Sequence, residues 1–329
     1  MPIQLSGGVI MTGGVNLIPG VSGPTPGGAY SFQGSNYGYT SGGDSYPTSP
    51  RISNIIDKFS FVSDANATDV GDLSTSARQT SGQSSSVSGY TSGGDINPGI
   101  INVIQKFAFT SDGNATDVGD LIESIKGHTG QSSGDNGYIA GGDGASYTTV
   151  IQKFPFASDG NTTNVGNLTQ ARQMAASQSS SESGYTAGGA VPGGTGSNAI
   201  DKFPFASDDN ATDVGDLIQS SLYELYGPVG QSSTTHGYVS GGANPHTNVI
   251  QKFSFSSDGN ATDVGDLSGT LYRPASQSST ASGYVSGGDH NDGTRTNIIE
   301  KFSFSSDGNT SDVGDLTVAR DQTPAGQQY

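Results

Sequence analysis

The chain has 329 residues, a formal net charge of −17 and no cysteine. The acidic excess argues against nonspecific nucleic-acid binding, which depends on neutralising phosphates, and against an anionic membrane surface as the main partner. Without cysteine there is no disulfide and no thiolate metal site, and no stretch approaches the roughly 18 consecutive apolar residues that suggest a membrane span.

Residues 1–35 form the first predicted segment, an irregular arm rich in glycine and proline. The arm has neither the basic region nor the continuous apolar run of a secretory signal, so we expect no signal peptide. Its composition predicts a segment without a core of its own. We expect the arm to anchor the protein to a larger assembly; the alternative is that it folds across the domain that follows.

Residues 36–329 contain a six-fold repeat. In every unit, 15 residues separate the lysine of an I-x-K-F motif from the leucine that ends D-V-G-D-L or its variant, as between Lys58 and Leu73. Where both occur, the glutamine of a Q-S-S motif and the tyrosine of G-Y-x-[SA]-G-G are always 7 residues apart, as in Gln83 and Tyr90. The intervals between these fixed spans differ in length. A period of about 50 residues with this pattern is typical of propeller-like arrays.

Residues 83–121 show how one unit predicts strands. Its Q-S-S and G-Y motifs form a hairpin, and residues 102–109 carry apolar side chains on both faces, as a sheet between neighbouring sheets requires. A Ser-Asp-Gly-Asn turn leads to a fourth strand over residues 115–121. Four short antiparallel strands per unit predict an all-β, six-bladed propeller. The one helix-like stretch, residues 217–226, lies in the longest variable connection.

The two ends of the repeat array are complementary. The first unit begins at Tyr37 and lacks a Q-S-S strand of its own, whereas residues 324–329 match the start of a repeat and then stop. We therefore expect the C-terminal strand to complete the first blade and close the ring, which removes an exposed edge.

Two sets of motifs resemble known families. The G-Y-x-[SA]-G-G motif and the aromatic end of the third strand resemble the kelch repeat, as do the arginines near the first strand of four units: Arg78, Arg172, Arg273 and Arg320. The chain departs from kelch repeats in having no tryptophan. The nearly identical I-Q-K-F-x-F-x-S-D-G-N-A-T-D-V-G-D-L segments resemble kelch-type propellers of marine bacteriophages, especially those that infect cyanobacteria. This resemblance implies a virion appendage made in the host cytoplasm: a tail fibre, spike or decoration.

All variation in length is expected on one face of the disc, because the connections between strands two and three and between blades lie on the same side. Variable connections on a rigid scaffold are where recognition residues usually lie. The expected receptor contacts are tyrosine, arginine and histidine side chains of these connections: Tyr46, Arg51, Tyr147, Tyr223, Tyr226, His246, His290 and Arg295.

The S-D-G-N-A-T-D-V-G-D segment admits two interpretations. Its oxygen ligands could bind Ca²⁺, the only cofactor that the sequence suggests, through Asp112, Asn114, Asp117 and Asp120. The alternative is a turn stabilised by side-chain caps, which the same residues explain equally well. We expect the repeated lysine to pair with a carboxylate on the adjacent strand, in a structural role. The repeated N-x-[ST] sites are interpreted as turn residues rather than glycosylation sites.

Nothing in the sequence singles out a catalytic group, so we expect a protein without enzymatic activity. The four histidines occupy unrelated positions of different units, and no pair of glutamates recurs. A virion structural protein that presents the propeller for host-surface recognition is the first hypothesis, with other virion proteins bound through residues 1–35 and a host glycan or surface protein as ligand. A purely architectural decoration of a capsid or tail, and a carbohydrate-active or carbohydrate-binding surface protein, are the alternatives. No nucleic acid and no membrane insertion are expected.

Overall fold

The computed structural model describes residues 33–218, 226–243, 246–290, 292–322 and 325–328. The chain divides into two compact units, residues 1–30 and 31–329, and all described residues belong to the second. Six four-stranded antiparallel sheets are present in this part of the chain, and they form the blades of a propeller. The expected all-β, six-bladed architecture is confirmed. No helix among the described residues is long and apolar enough to cross a membrane.

Short strands make up each blade. The first strands in chain order are β1 (Tyr37–Ser41), β2 (Ile55–Ser60), β3 (Thr68–Asp72), β4 (Ser81–Ser84), β5 (Ser88–Asp95), β6 (Ile100–Ala108), β7 (Thr116–Asp120), β8 (Thr129–Ser132), β9 (Asn136–Ala140), β10 (Val150–Pro155), β11 (Thr163–Asn167), β12 (Ala176–Ser179) and β13 (Ser183–Ala187). The remaining strands are β14 (Ala190–Val191), β15 (Thr195–Gly196), β16 (Ala199–Pro204), β17 (Thr212–Asp216), β18 (Val229–Ser232), β19 (His236–Ser240), β20 (Val249–Ser254), β21 (Thr262–Asp266), β22 (Ala275–Ser278), β23 (Ser282–Ser286), β24 (Ile298–Ser303), β25 (Ser311–Asp315) and β26 (Ala325–Gln328).

In the second to sixth blades, sequence order is also spatial order from the axis outward, as in the sheet β4-β5-β6-β7. The first strands of neighbouring blades contact one another, as β4 contacts β8, and they surround the axis. β14 and β15 form a small sheet of their own beside the fourth blade. Strand β7 begins one residue later and ends one residue earlier than predicted. In the helix-like stretch, residues 219–225 lie outside the described residues.

Ring closure occurs as the sequence predicts. Strand β26 pairs antiparallel with β1, with Gln327 opposite Tyr39, and completes the sheet β26-β1-β2-β3. Gln327 Nε2 also donates to the Tyr90 carbonyl of the second blade at 2.8 Å. The last strand therefore joins the first blade to the second.

The hydrophobic core lies between blades rather than within them. At the first junction, Tyr39 and Ile56 of the first blade are buried against Phe107 and Phe109 of the second. The Tyr39 and Phe109 ring centroids are 5.0 Å apart. The same contacts recur at every junction, including the one between the last and first blades. Each buried aromatic ring contributes on the order of 2–3 kcal/mol by the area it removes from water.

The glutamine of each Q-S-S motif joins neighbouring blades. Its side-chain amide donates to the carbonyl of the repeated tyrosine in the next blade, as Gln277 does to Tyr39 at 2.8 Å and Gln131 does to Tyr185 at 2.9 Å. These amides are buried, so each bond satisfies a carbonyl that water cannot reach. The fixed spacing of glutamine and tyrosine follows from their pairing across the first two strands, as in Gln83 opposite Tyr90.

A second ring of hydrogen bonds surrounds the axis. The backbone N–H of one inner strand donates to a serine hydroxyl of the next, as Ser84 does to Ser132 at 2.9 Å and Ser132 does to Ser179 at 3.1 Å. Gln328 replaces serine where the chain ends, and its N–H donates to Ser84 Oγ at 3.1 Å. The inner strands enclose a channel of about 100 Å³ lined mostly by serine, threonine and glycine.

The repeated lysine pairs with a carboxylate, but not with one on the adjacent strand as expected. Lys58 Nζ lies 2.9 Å from Asp112 Oδ1, in the turn between strands three and four of the next blade. The same pair links every blade to its neighbour, and the last is Lys301 with Asp64 of the first blade, at 2.6 Å. The expectation was wrong about the partner because spacing within one unit does not show which groups meet between units.

The four arginines that resemble the kelch pattern do not occupy one equivalent position. Arg172 and Arg320 are fully buried and form ion pairs with Asp201 and Asp57 on third strands. Arg78 and Arg273 lie in the corresponding connections but at positions closer to the axis and partly exposed. Unequal connection lengths hide this difference in the sequence.

Candidate functional site

The propeller has two faces with different connections. On one face, here called the constant face, lie the turns between strands one and two and between strands three and four. On the other, the variable face, lie the connections between strands two and three and between blades. All differences in length between repeats fall on the variable face.

An axial ring forms the centre of the variable face. It consists of one residue from each connection between blades, all with left-handed backbone conformation and φ between 50° and 67°: Gln79, Gly127, Met174, Gly227, Arg273 and Gln322. Five backbone hydrogen bonds join the members in succession from Gln322 through Gln79 to Arg273, such as Gly127 N to Gln79 O at 2.8 Å and Arg273 N to Gly227 O at 3.0 Å. Left-handed conformation is unfavourable for residues other than glycine, so these bonds offset local strain.

Six residue pairs surround the axial ring. Each pair joins the residue before a ring member to the residue that follows a Gly-Gly motif: Asp321 with Asp44, Arg78 with Asp95, Lys126 with Asp143, Gln173 with Ala190, Tyr226 with Ala243, and Tyr272 with Asp289. Both members of the first three pairs are charged, the next two pairs carry no charge, and the sixth joins a tyrosine to an aspartate. We call the part with the first three pairs the charged side and the part with Tyr226 and Tyr272 the aromatic side.

The charged side is centred on Asp44, whose side chain is fully buried. Its carboxylate forms ion pairs with Arg51 at 2.9 Å, with Arg295 at 3.3 Å and with Arg78. Burial alone would raise the pKa of Asp44, but hydrogen bonds from the Tyr46 backbone, Arg51 and Arg78 outweigh it and hold the pKa below its usual range.

Asp321 lies beside this cluster, and its pKa is shifted in the opposite direction from that of Asp44. Arg295 Nε donates to its Oδ1 at 2.6 Å. Burial raises the pKa of Asp321 to about 6, and the carboxylates of Asp44 and Asp289 add to the effect, although Arg295 opposes it.

Three of the predicted contact residues meet at this cluster. The Tyr46 side chain is 57% exposed and lies between the guanidinium groups of Arg51 and Arg295, 5.5 and 5.6 Å from its ring centroid. Arg295 also donates to the Tyr46 carbonyl at 2.9 Å. Residues far apart in sequence thus form one arginine–tyrosine stack, called the first stack below.

A second stack lies on the aromatic side. The rings of Tyr226 and Tyr272 are stacked with centroids 5.8 Å apart, and the Arg273 guanidinium carbon lies 4.1 Å from the Tyr272 centroid. His246 meets the edge of Tyr272 at 6.1 Å. Gly227 allows this packing, because a Cβ there would lie 2.8 Å from Arg273 Cγ.

Sequence reasoning included Tyr226 and His246 but missed Tyr272 and Arg273 as binding candidates. Arg273 was assigned to the kelch-like pattern, and Tyr272 lies in a connection of ordinary length. The detectable signal was their adjacency in Leu-Tyr-Arg, where two neighbouring residues both carry recognition chemistry.

The other predicted contacts are less central. The Tyr147 hydroxyl accepts a hydrogen bond from Gln173 Nε2 at 2.6 Å. His290 Nδ1 lies 3.2 Å from the Thr270 carbonyl. Tyr223 lies outside the described residues.

The predicted calcium ligands are engaged separately. Asp112 pairs with Lys58, and Asn114 Oδ1 accepts the backbone N–H of Asp72 at 3.1 Å. Asp117 Oδ1 accepts the N–H of Gly119. No group of three or more His, Cys, Asp or Glu side chains in the described part of the chain could hold a metal ion, so Asp112, Asp117 and Asp120 do not form one. The equivalent asparagine at each junction accepts a similar bond from the preceding blade, which gives the repeated N-x-[ST] residue a structural use.

Comparison with known proteins adds no family to this description: no protein-family model matches the chain, and no curated protein matches it.

Proposed function

We propose that this chain is a non-enzymatic recognition protein whose variable face binds a ligand on a host-cell surface. The observation that carries the proposal is the first stack, where Tyr46 and Arg51 are exposed on a network that fixes their position. Tyrosine and arginine supply large contact areas with polar ends and dominate many binding sites.

The opposite face is suited to attachment. Gln33 is buried and donates to the carbonyls of Ser232 at 3.0 Å and Ser279 at 3.2 Å, at the constant-face ends of two inner strands. Gly34 N donates to Ser278 O at 2.9 Å. Residues 33 and 34 therefore contact the inner strands near the axis on the constant face, and this supports the proposal that attachment uses that side of the propeller.

A virion appendage is the setting we propose for this arrangement, by resemblance to the propellers of cyanobacterial phages. A tail fibre or spike needs one face for attachment and one for contact, and the difference between the constant and variable faces supports such a division. The kelch-type relationship belongs to the same proposal, and the repeated Gly-Gly motif and inter-blade aromatic contacts support it.

The experiment compares two surface substitutions of equal exposure. Tyr46 on the variable face and Val87 on the constant face are both 57% exposed, so alanine at either should leave the fold intact. We expect fluorescent full-length protein to bind cyanobacterial cells saturably, Tyr46→Ala to weaken binding about tenfold or more, and Val87→Ala to change it less than twofold.

Absence of binding to any candidate cell by well-folded protein would contradict the proposal and favour the architectural role. Equal effects of the two substitutions would contradict the assignment of recognition to the variable face.

A further inference from the structure

The cationic side chains of this acidic protein are distributed unevenly. The chain has 13 lysines and arginines, all within the described residues. Six lysines form the inter-blade pairs of the constant face, and two arginines are buried in blades. The other five all lie on the variable face around the axial ring: Arg51, Arg78, Lys126, Arg273 and Arg295.

The rim of the disc carries the opposite charge. Strands β3, β7, β17, β21 and β25 each place two aspartates at the outer edge, and β11 has asparagines at both positions. None of these aspartates is in an ion pair among the described residues. The rim aspartates repel an anionic ligand, and each constant-face lysine is already paired with an aspartate of the next blade. Among the described residues, the cation without an ion pair is Arg273, on the variable face, so the charge distribution favours approach to that face.

The second stack contains the cation best placed to receive an anion. Arg273 forms no ion pair among the described residues, and its Nε is buried without a hydrogen-bond partner. Two further atoms are buried and without a hydrogen-bond partner among the described residues: His246 Nδ1, whose ring meets the edge of Tyr272, and Oδ1 of Asp289, whose backbone pairs with that of Tyr272. Buried polar atoms almost always have partners, so three such atoms on residues that contact Tyr272 indicate that a ligand or water completes the group.

The mixture of donors and acceptors favours a saccharide. Arginine offers only donors and aspartate only acceptors, while a sugar hydroxyl is both and can bridge them. The apolar face of a sugar ring can pack on a tyrosine ring, and Tyr46 and Tyr226 each lie in an arginine-backed stack. A carboxylate on the sugar would form charge-assisted hydrogen bonds with the Arg273 guanidinium, which has no ion pair among the described residues.

We infer that the variable face binds an acidic saccharide, a glycan carrying carboxylate groups, with the Tyr272–Arg273 stack as the principal contact. This inference rests on the proposed function and names the ligand class of the same face. The first stack supplies a further contact for an extended chain.

Calorimetric titration of full-length protein tests the inference, with oligogalacturonate in calcium-free buffer as the acidic probe and dextran oligomers of equal length as the neutral one. We expect binding of the acidic probe only, weakening as salt rises. Arg273→Met should reduce affinity about tenfold or more. Methionine already occupies the equivalent left-handed position at Met174, so this substitution suits the backbone.

Lys106→Met removes one positive charge from the constant face and serves as the matched control, expected to change affinity less than twofold. Equal binding of both probes, or equal effects of the two substitutions, would overturn the inference. If cells bind through Tyr46 and an excess of acidic saccharide does not compete, the ligand is of another class, such as a protein; the inference then fails and the proposed function stands. If cells do not bind at all, the proposed function fails.

Discussion

Buried ion pairs at two junctions show how single residues are fitted to their blades. Arg172 Nη1 donates to the Ala199 carbonyl at 3.0 Å and its guanidinium pairs with Asp201, both side chains being fully buried. At the preceding junction, the equivalent positions hold Ile125 and Gln152, and Gln152 Oε1 accepts the Ile122 N–H at 2.8 Å. The uncharged pair Ile125 and Gln152 thus occupies the positions that the ion pair Arg172 and Asp201 occupies in the next blade.

We expect Arg172→Ile to destabilise the protein by about 3–5 kcal/mol, because it leaves a buried carboxylate without its cation. The double variant Arg172→Ile with Asp201→Gln reproduces the neighbouring junction, so it should recover most of that loss. Urea denaturation of wild type, both single variants and the double variant measures the coupling. Additive effects of the two substitutions would show that the pair is not a unit.

Asp321 gives a pH-dependent contribution whose sign follows from its raised pKa. Between the usual 3.8 and about 6, the folded state holds a proton that the unfolded state has released. Stability from this group is therefore present at low pH and lost as pH rises through that window. Relative to Asp321→Asn, which cannot titrate, wild type should lose stability from pH 4 to 6, by about 3 kcal/mol at most. Parallel stability curves for the two proteins would refute this.

His128 acts in the reverse direction over the same window. Its side chain is buried beside the channel, and burial lowers the pKa from 6.5 to about 4, although a hydrogen bond with the Ser92 carbonyl opposes this. The unfolded state therefore takes up a proton first, and stability falls as pH drops below about 6.5. His128→Thr, which copies Thr80, should remove that loss. Because the contributions of Asp321 and His128 to the pH dependence of stability have opposite signs, each is measured by comparing wild type with the corresponding variant. If the stability of His128→Thr falls with decreasing pH as steeply as that of wild type, this assignment is wrong.

At the scale of elements, the strands were predictable because constant spacing reflects constant pairing. The 7-residue interval is the register of Gln83 against Tyr90, and the 15-residue interval spans two strands and their turn. Contacts between blades could not be read from spacing, so the partner of Lys58 was placed on the wrong element. The axial ring was also missed, since Met174 and Arg273 adopt a backbone conformation that their residue types do not suggest.

Strand β26 is the element on which closure depends. Deleting residues 325–329 removes the inner partner of β1 and the hydrogen bonds of Gln327 to Tyr90 and Thr91. We expect a large fall in melting temperature, since a closed ring without edges becomes an open one. Gln327→Ala is a milder variant and should cost about 1–3 kcal/mol through unsatisfied buried groups. An unchanged melting curve for the deletion would contradict closure by this strand.

The propeller combines a closed ring with two dissimilar faces. The repeated lysine–aspartate pairs and the contacts of Gln33 lie on the constant face. The five cations that are neither in these pairs nor buried within a blade lie on the variable face. The sequence predicted which face carries the candidate site but not which side chains meet there. Tyr46 and Arg295 are 249 residues apart, and only ring closure brings them together.

Immobilising the protein in two opposite orientations tests most directly whether the variable face binds cells. Because the chain has no cysteine, a single introduced cysteine gives one defined attachment point. A single cysteine at exposed Ser63 on the constant face, or at exposed Ser146 on the variable face, allows the full-length protein to be coupled to a surface in either direction. Adhesion of cyanobacterial cells to the two surfaces would then be counted at equal protein density. We predict adhesion to protein coupled through Ser63→Cys and little to protein coupled through Ser146→Cys. Equal adhesion, or stronger adhesion in the second orientation, would contradict recognition by the variable face.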